Sequence, residues 1–305
     1  MVSAKQVIRN TVRPSEGMMM VNRLINRFRG DTDYNTEGVD VMTEDWDTLI
    51  ILDACRYDLF RDRYDLPGEL RSKVSRGGGT VEFLRGNLRE RSFPDTVYVS
   101  ANPQIARLKD ELNTEFHDVV SLWETKWDDD IQNVPPDRMT EAAIDALETY
   151  PNKRLIFHYN QPHGPFLGPT ASDLVIGPNR TQDESLFEFT WDQIQHNFIS
   201  HDEWWDAYTE TFDIVQEYIQ DLLPEIDGRT VVTSDHGKLM GERGSPIPVK
   251  YYGHHIGVHD NPLVKIPWLV HETGSRREIT EGSVTAIGES DEGRVQEQLR
   301  DLGYV

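Results

Sequence analysis

The sequence predicts an α/β fold in which a largely parallel central sheet carries helices on both faces. Short apolar runs alternate along the chain with segments of helical periodicity, a pattern typical of parallel sheets covered on both sides. The chain has 305 residues, of which 37% are hydrophobic, enough for a large buried core. We therefore expect one large α/β domain or two small ones.

The predicted strands are short runs dominated by apolar and β-branched residues. The first, Thr48–Asp53, ends on a carboxylate. The remaining predicted strands are Thr96–Ser100, Phe116–Leu122, Arg154–Tyr159, Arg229–Ser234 and Ile266–Val270.

Predicted helices lie between these strands. The longest spans Asp202–Leu223 and carries an apolar stripe at helical spacing. That stripe comprises Trp205, Tyr208, Phe212, Val215, Ile219 and Leu222. The other predicted helices are Arg56–Tyr64, Thr80–Asn87, Thr140–Tyr150 and Glu292–Leu302.

The sequence predicts a basic helical arm over residues 1–44, ahead of a main domain over 45–305. Residues 1–30 contain six basic residues and one acidic residue, a net charge of +5 that leaves −27 on the rest. Apolar residues recur at helical spacing among these arginines. Either the arm packs on the acidic body, or it contacts an anionic membrane surface as a basic amphipathic helix. Polar, poorly periodic residues 168–200 predict a lid or insertion.

The composition restricts the class of protein. The net charge is −22, from 53 acidic and 31 basic residues. This indicates either a simply acidic protein or adaptation to high salt, where dense carboxylates keep a surface hydrated. A nucleic-acid partner is not expected, because it would need a basic face. A single cysteine, Cys55, excludes an intramolecular disulfide. The sequence has no long apolar run and no signal-peptide core, so we expect a cytoplasmic protein.

Two predicted strands end at residues of types that commonly bind metals in proteins. Asp53 ends the first, and Asp235 and His236 directly follow the Arg229–Ser234 strand. A buried carboxylate at a strand end is costly unless it is paired or metal-bound. Carboxylates with an imidazole suit zinc or manganese, and carboxylates alone suit calcium or magnesium. The alternatives are a helix cap at Asp53 and a simple capped turn at Asp235.

A candidate nucleophile follows three glycines, Gly77–Gly79. Thr80 begins a predicted helix, and a hydroxyl there lies in the positive field of the helix N-terminus. A neighbouring cation would make it a nucleophile. Ser75, the other nearby hydroxyl, precedes the glycines and lacks that anchor. The alternative for Thr80 is an ordinary helix cap.

Histidines and cations complete the set of candidate residues. Prolines and a glycine fix His163 on a rigid loop, which suits donation to a substrate oxygen. His254, His255 and His259 lie close together after Asp235-His236, and we expect at least one to face the site. Arg56 can hold an anionic oxygen in its planar fork, with a salt bridge to Asp58 or Asp53 as the alternative.

Taken in order, these elements resemble the alkaline phosphatase/sulfatase superfamily. They are most similar to its sulfatase-like and its phosphoethanolamine- or lipoteichoic-acid-synthase-like branches. The closest matches are 162–165, 234–237 and 265–270, and the ending 302–304, Leu-Gly-Tyr, is also common there. The acidic, lysine-poor composition is similar to that of haloarchaeal members. The resemblance implies an alkaline phosphatase-like three-layer sandwich and a metal-dependent hydrolase or transferase of phosphate or sulfate esters.

Carried over by position, the resemblance assigns a role to each candidate. Asp53, Thr80, Asp235 and His236 would be ligands of a divalent metal, with manganese or zinc favoured and calcium or magnesium possible. Thr80 would also attack the ester, and His163 and His254 would bind the transferring group or help to form a second metal site. The substrate would be a phosphate or sulfate ester, on a glycan or lipid headgroup in some members.

Two departures from the family pattern matter. Sulfatases place their nucleophile in Cys-x-Pro-x-Arg, whereas Cys55 lies next to the expected metal ligand Asp53, so the hydroxyl-nucleophile branches fit better. Lys238 follows Asp-His-Gly where glutamate is common, and it could bind substrate charge or weaken a second metal site. Two alternatives stay open: a two-metal phosphodiesterase or phosphomutase-like enzyme, and a non-catalytic protein that binds a glycan or lipid headgroup.

Overall fold

A mixed sheet forms the centre of the molecule. The computed structural model describes residues 21–22, 24–25, 33–175 and 200–304. The strands of this part are β1 Thr48–Asp53, β2 Glu69–Val74, β3 Ser92–Ser100, β4 Glu115–Ser121, β5 Arg154–Pro162, β6 Gly228–Ser234, β7 Leu239–Arg243, β8 Lys250–Gly253, β9 Lys265–Thr273 and β10 Thr285–Ala286. Eight of them form one sheet in the order β10-β4-β3-β5-β1-β6-β9-β2. The five strands from β4 to β6 in this order run parallel, and β10, β9 and β2 pair antiparallel at the two ends. The predicted fold class, a largely parallel α/β sheet, is confirmed.

Strands and helices alternate along most of the chain. The longer helices are Tyr57–Arg63, Thr80–Leu88, Pro136–Thr149, Pro169–Val175, His201–Leu222 and Glu292–Asp301. Shorter helical turns are Val41–Thr43, Gln104–Arg107, Lys109–Leu112, Leu122–Thr125, Leu223–Glu225 and Asn261–Val264.

Alternation along the strands divides the core into two layers. In β1, Ile50 and Leu52 belong to one buried cluster, and Leu49 and Ile51 belong to the other. Successive side chains of a strand point to opposite faces, so a strand buried on both sides must be apolar throughout. The first cluster includes residues of the helices Pro136–Thr149, His201–Leu222 and Glu292–Asp301, and the second includes residues of Thr80–Leu88.

The structure refines the predicted elements at several places. All six predicted strands are present, but β9 runs antiparallel to β6. The edge strand β2 was not predicted, because most of its residues are exposed and it has no continuous apolar run. In the longest helix Trp204 is fully buried, whereas Trp205, which the predicted stripe contained, is only half-buried.

Much of the predicted arm and lid lies outside the described residues. The arm was predicted over 1–44 and the lid over 168–200, and the structure describes only parts of each. Among the described residues, no helix combines the length and the apolar character needed to cross a membrane.

Parallel order brings the ends of five strands to one edge of the sheet. β1 lies between β5 and β6, so Asp53 at its end neighbours residues that follow β5 and β6. Leu52 is paired with Ser234 on one side and with Tyr159 on the other. This carboxyl edge is the usual place for a ligand in such sheets.

Candidate active site

Three buried side chains form a possible metal-binding cluster at the carboxyl edge of the sheet. Asp53, Asp235 and His236 each offer a ligand atom, and these atoms lie within 4.8 Å of one another. All three residues have no exposed surface. Two buried carboxylates this close to each other need either a bound proton or a cation to offset their repulsion, and with the imidazole beside them the cluster fits a divalent cation.

The orientation of His236 supports this interpretation. Its Nδ1 lies 2.7 Å from the carbonyl oxygen of Gly237. A carbonyl only accepts hydrogen bonds, so Nδ1 carries the hydrogen in the neutral ring and Nε2 keeps a lone pair. Nε2 lies 3.5 Å from Asp53 Oδ1 and 3.4 Å from Asp235 Oδ2. A lone pair facing two carboxylates requires either a proton or a metal cation between them.

The two carboxylate oxygens of Asp53 differ in their hydrogen bonds. Its Oδ2 accepts a hydrogen bond from Asn102 Nδ2 at 2.7 Å and another from the hydroxyl of Tyr304. Its Oδ1 is buried and accepts no hydrogen bond from the described residues. Since a buried carboxylate oxygen without a donor is unfavourable, Oδ1 fits a position facing a cation.

Asp235 connects the turn after β1 to the candidate nucleophile. Its Oδ1 accepts from the backbone N–H groups of Ala54 and His236, at 3.0 and 2.8 Å. Its Oδ2 accepts from the Thr80 hydroxyl at 2.7 Å. Burial, and then the nearby charge of Asp53, raise the pKa of Asp235 to about 7.

Thr80 is the first residue of its helix and points its hydroxyl at the cluster. Besides the bond to Asp235, its Oγ1 lies 3.3 Å from His236 Nε2. The other candidate hydroxyl, Ser75, is directed elsewhere: it donates to the backbone oxygen of Asp235 and accepts from Gly77 N at 3.0 Å. Only Thr80 of these two therefore lies against the ligand atoms of the Asp53–Asp235–His236 cluster.

A buried glutamate connects the glycine loop to the histidine loop. Glu82 Oε2 accepts from Gly78 N at 2.8 Å, and Oε1 accepts from Gly257 N at 2.9 Å. His259 Nε2 lies 3.3 Å from the same carboxylate. Thus Glu82, which the sequence did not single out, holds together the two loops that carry Thr80 and His254.

His163 and His254 contact each other beside the cluster. Their Nε2 atoms are 3.0 Å apart, and His163 Nδ1 donates to the Gly164 carbonyl oxygen at 2.7 Å. The hydrogen between the two rings is therefore on His254 when both are neutral. Burial, and then the charge of Lys238, lower the pKa of His163 to about 3. His255 instead contacts the carbonyl oxygen of Tyr252 at 2.8 Å, so His254 is the member of its group that faces the site.

Arg56 and Lys238 are both engaged within the protein. Arg56 donates to Asp58 Oδ1 and Oδ2 at 2.8 and 2.6 Å and to Glu242 Oε1 at 2.6 Å. The salt bridge to Asp58 is the alternative considered from the sequence. The ammonium of Lys238 lies over three aromatic rings, with Trp204 5.3 Å away, and burial lowers its pKa to about 7. The binding of substrate charge by Arg56 or Lys238 therefore stays a prediction.

Three further residues at this edge were not assigned by sequence reasoning. Asn102 follows β3, so the rule of strand ends could have found it. His158 lies beside Asp235, with its Nε2 4.0 Å from Asp235 Oδ2. Burial lowers the pKa of His158 to about 4. Tyr304 belongs to the ending noted above, and its hydroxyl lies 3.2 Å from Thr80 Oγ1.

Comparison with known proteins gives matches in structure but not in sequence. No family profile and no curated protein matches the chain. The solved structures include the integral membrane protein lipooligosaccharide phosphoethanolamine transferase A from Neisseria meningitidis, with a TM-score of 0.43 and 12% identity over 84% of this chain and 55% of that chain. The chain thus spans about half the length of that protein.

Two periplasmic domains also match. The C-terminal domain of phosphoethanolamine transferase EptC from Campylobacter jejuni has a TM-score of 0.42 and 13% identity, over 73% of this chain and 78% of that chain. The corresponding domain of EptC from Escherichia coli, in complex with zinc, has a TM-score of 0.44 and 12% identity, over 79% and 77%.

Proposed function

We propose that this chain is an enzyme that cleaves or transfers a phosphate ester, with a divalent cation and with Thr80 as its nucleophile. One observation carries the proposal. The hydroxyl of Thr80, at the start of a helix, lies 2.7 Å from Asp235 Oδ2 and 3.3 Å from His236 Nε2. A threonine that served only as a cap would bond to the backbone of its own helix, and this helix has no side-chain cap.

The four candidate ligands fit a transition metal. Asp53, Asp235, His236 and Thr80 would hold it, and this mixed oxygen and nitrogen set favours manganese or zinc, with calcium or magnesium as alternatives. When bound, the cation would supply positive charge that stabilises the ionised hydroxyl and the transferring group.

The chain's own residues prepare Thr80 for attack. Asp235 Oδ2 accepts the hydroxyl hydrogen, so the lone pairs of Oγ1 are directed away from that carboxylate. The N-terminus of the Thr80–Leu88 helix favours negative charge on the same oxygen. The hydrogen held between His163 and His254 can be donated to an oxygen of the substrate.

The reaction would take two steps. Thr80 Oγ1 loses its proton and bonds to phosphorus, and the leaving-group oxygen departs with its electron pair and takes up one proton, so that the proton count balances. Water or an acceptor hydroxyl then attacks phosphorus and releases Thr80. We favour phosphate over sulfate because the formylglycine motif of sulfatases is absent from the sequence.

Substitution of the two hydroxyls tests this proposal. Thr80→Ala should lower kcat by about 10³-fold or more, since about 1.4 kcal/mol of lost transition-state stabilisation corresponds to tenfold in rate. Thr80→Ser should retain part of the activity. Rates on an aryl phosphate ester, with mass spectrometry for a phosphorylated residue, provide the measurement.

Ser75→Ala is the matched control. It removes a buried hydroxyl near the same glycines, at a cost of about 1 kcal/mol of stability, but it leaves the reacting oxygen in place. Phosphorylation of the Thr80→Ala variant, or loss of labelling in Ser75→Ala alone, would rule out Thr80 as the nucleophile.

A two-metal enzyme is the second candidate. The observation in its favour is the pair of imidazoles, His163 and His254, directly beside the cluster, where the rings of His236 and His254 have centroids 5.0 Å apart. Metal analysis separates the candidates, because the leading proposal needs one cation per chain and this one needs two. A protein that binds metal but turns over no ester would instead be the non-catalytic binder.

We also propose which kind of molecule carries the ester. A lipid headgroup or a glycan would carry the ester, and the basic residues of the predicted arm would favour contact with an anionic membrane surface from the cytoplasm. The acidic composition gives no support to a nucleic-acid partner.

A further inference from the structure

Tyr304 lies among the reacting groups, although the ending 302–304 to which it belongs carried no predicted chemical role. Its hydroxyl is 3.2 Å from Thr80 Oγ1 and 3.2 Å from Asn102 Nδ2, and it also donates to Asp53 Oδ2. One phenol therefore contacts both the proposed nucleophile and a candidate metal ligand.

The position of this tyrosine is built into the fold. After the helix Glu292–Asp301, Gly303 has a φ of 77°, which redirects the chain, and Tyr304 N donates to the Leu299 carbonyl oxygen at 2.8 Å. Leu299 is fully buried in the main core cluster. Gln298 donates to the Trp123 carbonyl oxygen at 2.7 Å. These contacts hold the turn that delivers the phenol.

Its ring packs on the catalytic histidines. The Tyr304 and His163 rings are stacked, with centroids 5.0 Å apart and an interplanar angle of 19°. The His254 ring lies 5.6 Å from the same tyrosine. Stacking on one side and hydrogen bonds at the tip restrict the phenol to one orientation.

The phenol hydrogen of Tyr304 can be donated to either of two oxygens, Asp53 Oδ2 or Thr80 Oγ1. Asp53 Oδ2 already accepts from Asn102, so this oxygen keeps a donor if the phenol hydrogen turns elsewhere. Thr80 Oγ1 is the other acceptor within reach. A hydrogen bond to an oxygen that carries negative charge is stronger than one to a neutral oxygen.

We propose that Tyr304 is a further catalytic residue, which donates a hydrogen bond to Thr80 Oγ1 as that oxygen becomes the leaving group. The inference rests on the proposed function. In the second step water attacks phosphorus, the bond between phosphorus and Oγ1 breaks, and its electron pair returns to Oγ1. A proton of the attacking water ends on Oγ1, and Tyr304 keeps its own proton throughout.

This role makes the second step more sensitive to Tyr304 than the first. During attack the Thr80 oxygen loses negative charge, whereas during release it gains it. A donor to that oxygen therefore lowers the barrier to release and not the barrier to attack. Without the donor, the phosphorylated enzyme should accumulate.

Tyr304→Phe tests the inference, because it removes only the hydroxyl and keeps the ring on His163. With an aryl phosphate ester we expect kcat to fall about 10- to 100-fold. Mass spectrometry should show a larger phosphorylated fraction at Thr80 during turnover than in the unmodified enzyme. The affinity for Mn²⁺, measured by calorimetry, should stay within about twofold.

Tyr150→Phe is the matched control. Tyr150 also donates its hydroxyl to a carboxylate, Asp118, but it precedes β5 at the opposite edge of the sheet. This variant should leave kcat and the phosphorylated fraction unchanged.

Other results of these measurements would overturn either the catalytic role of Tyr304 or the proposed function. A Tyr304→Phe variant that binds Mn²⁺ weakly, without accumulating phosphorylated Thr80, would show that the tyrosine only orients Asp53. Unchanged kinetics would show that it has no role in the reaction. If the unmodified enzyme is never labelled on Thr80, the proposed function itself fails, whatever Tyr304 does.

Discussion

Asp235 has a different environment on each of its two oxygens. Oδ1 is held by two backbone N–H groups, while Oδ2 accepts from the Thr80 hydroxyl and lies 3.4 Å from His236 Nε2. Its pKa of about 7 reflects burial first and the charge of Asp53 second. At this residue, therefore, a proton and the proposed metal cation would compete for the same negative charge.

This competition predicts how metal affinity depends on pH. Below about pH 7 the cation-free carboxyl group of Asp235 is protonated, so a cation must displace that proton in order to bind. We expect the affinity for Mn²⁺ to fall at least tenfold for each pH unit below about 7, and to level off above it. Calorimetric titrations at pH 6, 7 and 8 measure this, and an affinity independent of pH would contradict it.

Removal of the metal should also lower stability. A ligand that binds only the folded protein stabilises it, by about 2.7 kcal/mol at 100 times its Kd. Chelation should therefore lower the Tm and abolish turnover, and added Mn²⁺ should restore both. Asp53→Asn is the matched variant, because it keeps the size of the side chain but removes its charge, and its Tm should not respond to the chelator. Full activity after exhaustive chelation would exclude a metal-dependent reaction.

At the scale of elements, the candidate active site depends on contact between the glycine loop and the histidine loop. A Cβ atom on Gly78 would lie 2.2 Å from the Val258 carbonyl oxygen and 3.2 Å from that of His255. On Gly79, a Cβ would lie 3.6 Å from His254 Nδ1, an ordinary contact. Two adjacent glycines thus face different restrictions, and only Gly78 is needed for the close approach of the loops.

Alanine at each glycine separates these restrictions. Gly78→Ala should force the loops apart, at a cost of about 1 to 3 kcal/mol from overpacking, and should displace His254 from the site. Gly79→Ala should keep or raise the Tm, since its φ of −171° suits any residue. Thermal unfolding and kcat of both variants provide the measurement. Equal Tm values for the two would show that the loops are not packed as described.

At the scale of the whole molecule, charge is the dominant feature. With a net charge of −22, carboxylates repel each other over the surface. Exposed ion pairs such as Arg61 with Asp62 oppose this only weakly, because water and salt screen the attraction and two long side chains lose entropy in forming the pair. Repulsion should therefore outweigh these attractions in dilute buffer.

Salt should then stabilise the protein. The screening length falls from about 10 Å at 0.1 M to about 3 Å at 1 M, so repulsion among distant carboxylates weakens. We expect the Tm to rise as KCl increases from dilute to molar concentrations. The measurement should be made with the metal concentration held constant, so that metal binding does not contribute. A flat or falling Tm would leave an acidic protein without adaptation to salt.

Local sequence patterns were sufficient to predict several strands, the helix at Thr80 and two residues of the candidate site. The strands β1, β5 and β6 were predicted from apolar runs, and the helix at Thr80 from the residues that follow the glycines. Burial on both faces requires such runs, and a helix start is set by a few neighbouring residues, so both features are readable from short stretches. The rule of strand ends then identified Asp53 and Asp235, because the ends of parallel strands share one edge.

Only the tertiary structure decided which residues meet at that edge. β1 pairs with β6, and Asp53 and Tyr304 are in contact although they are 251 positions apart in the sequence. The structure also directs Arg56 toward Asp58. It places His254, and not His255, in contact with His163. Strand order, loop contacts and hydrogen-bond partners arise between distant segments, and no local pattern of residues specifies them.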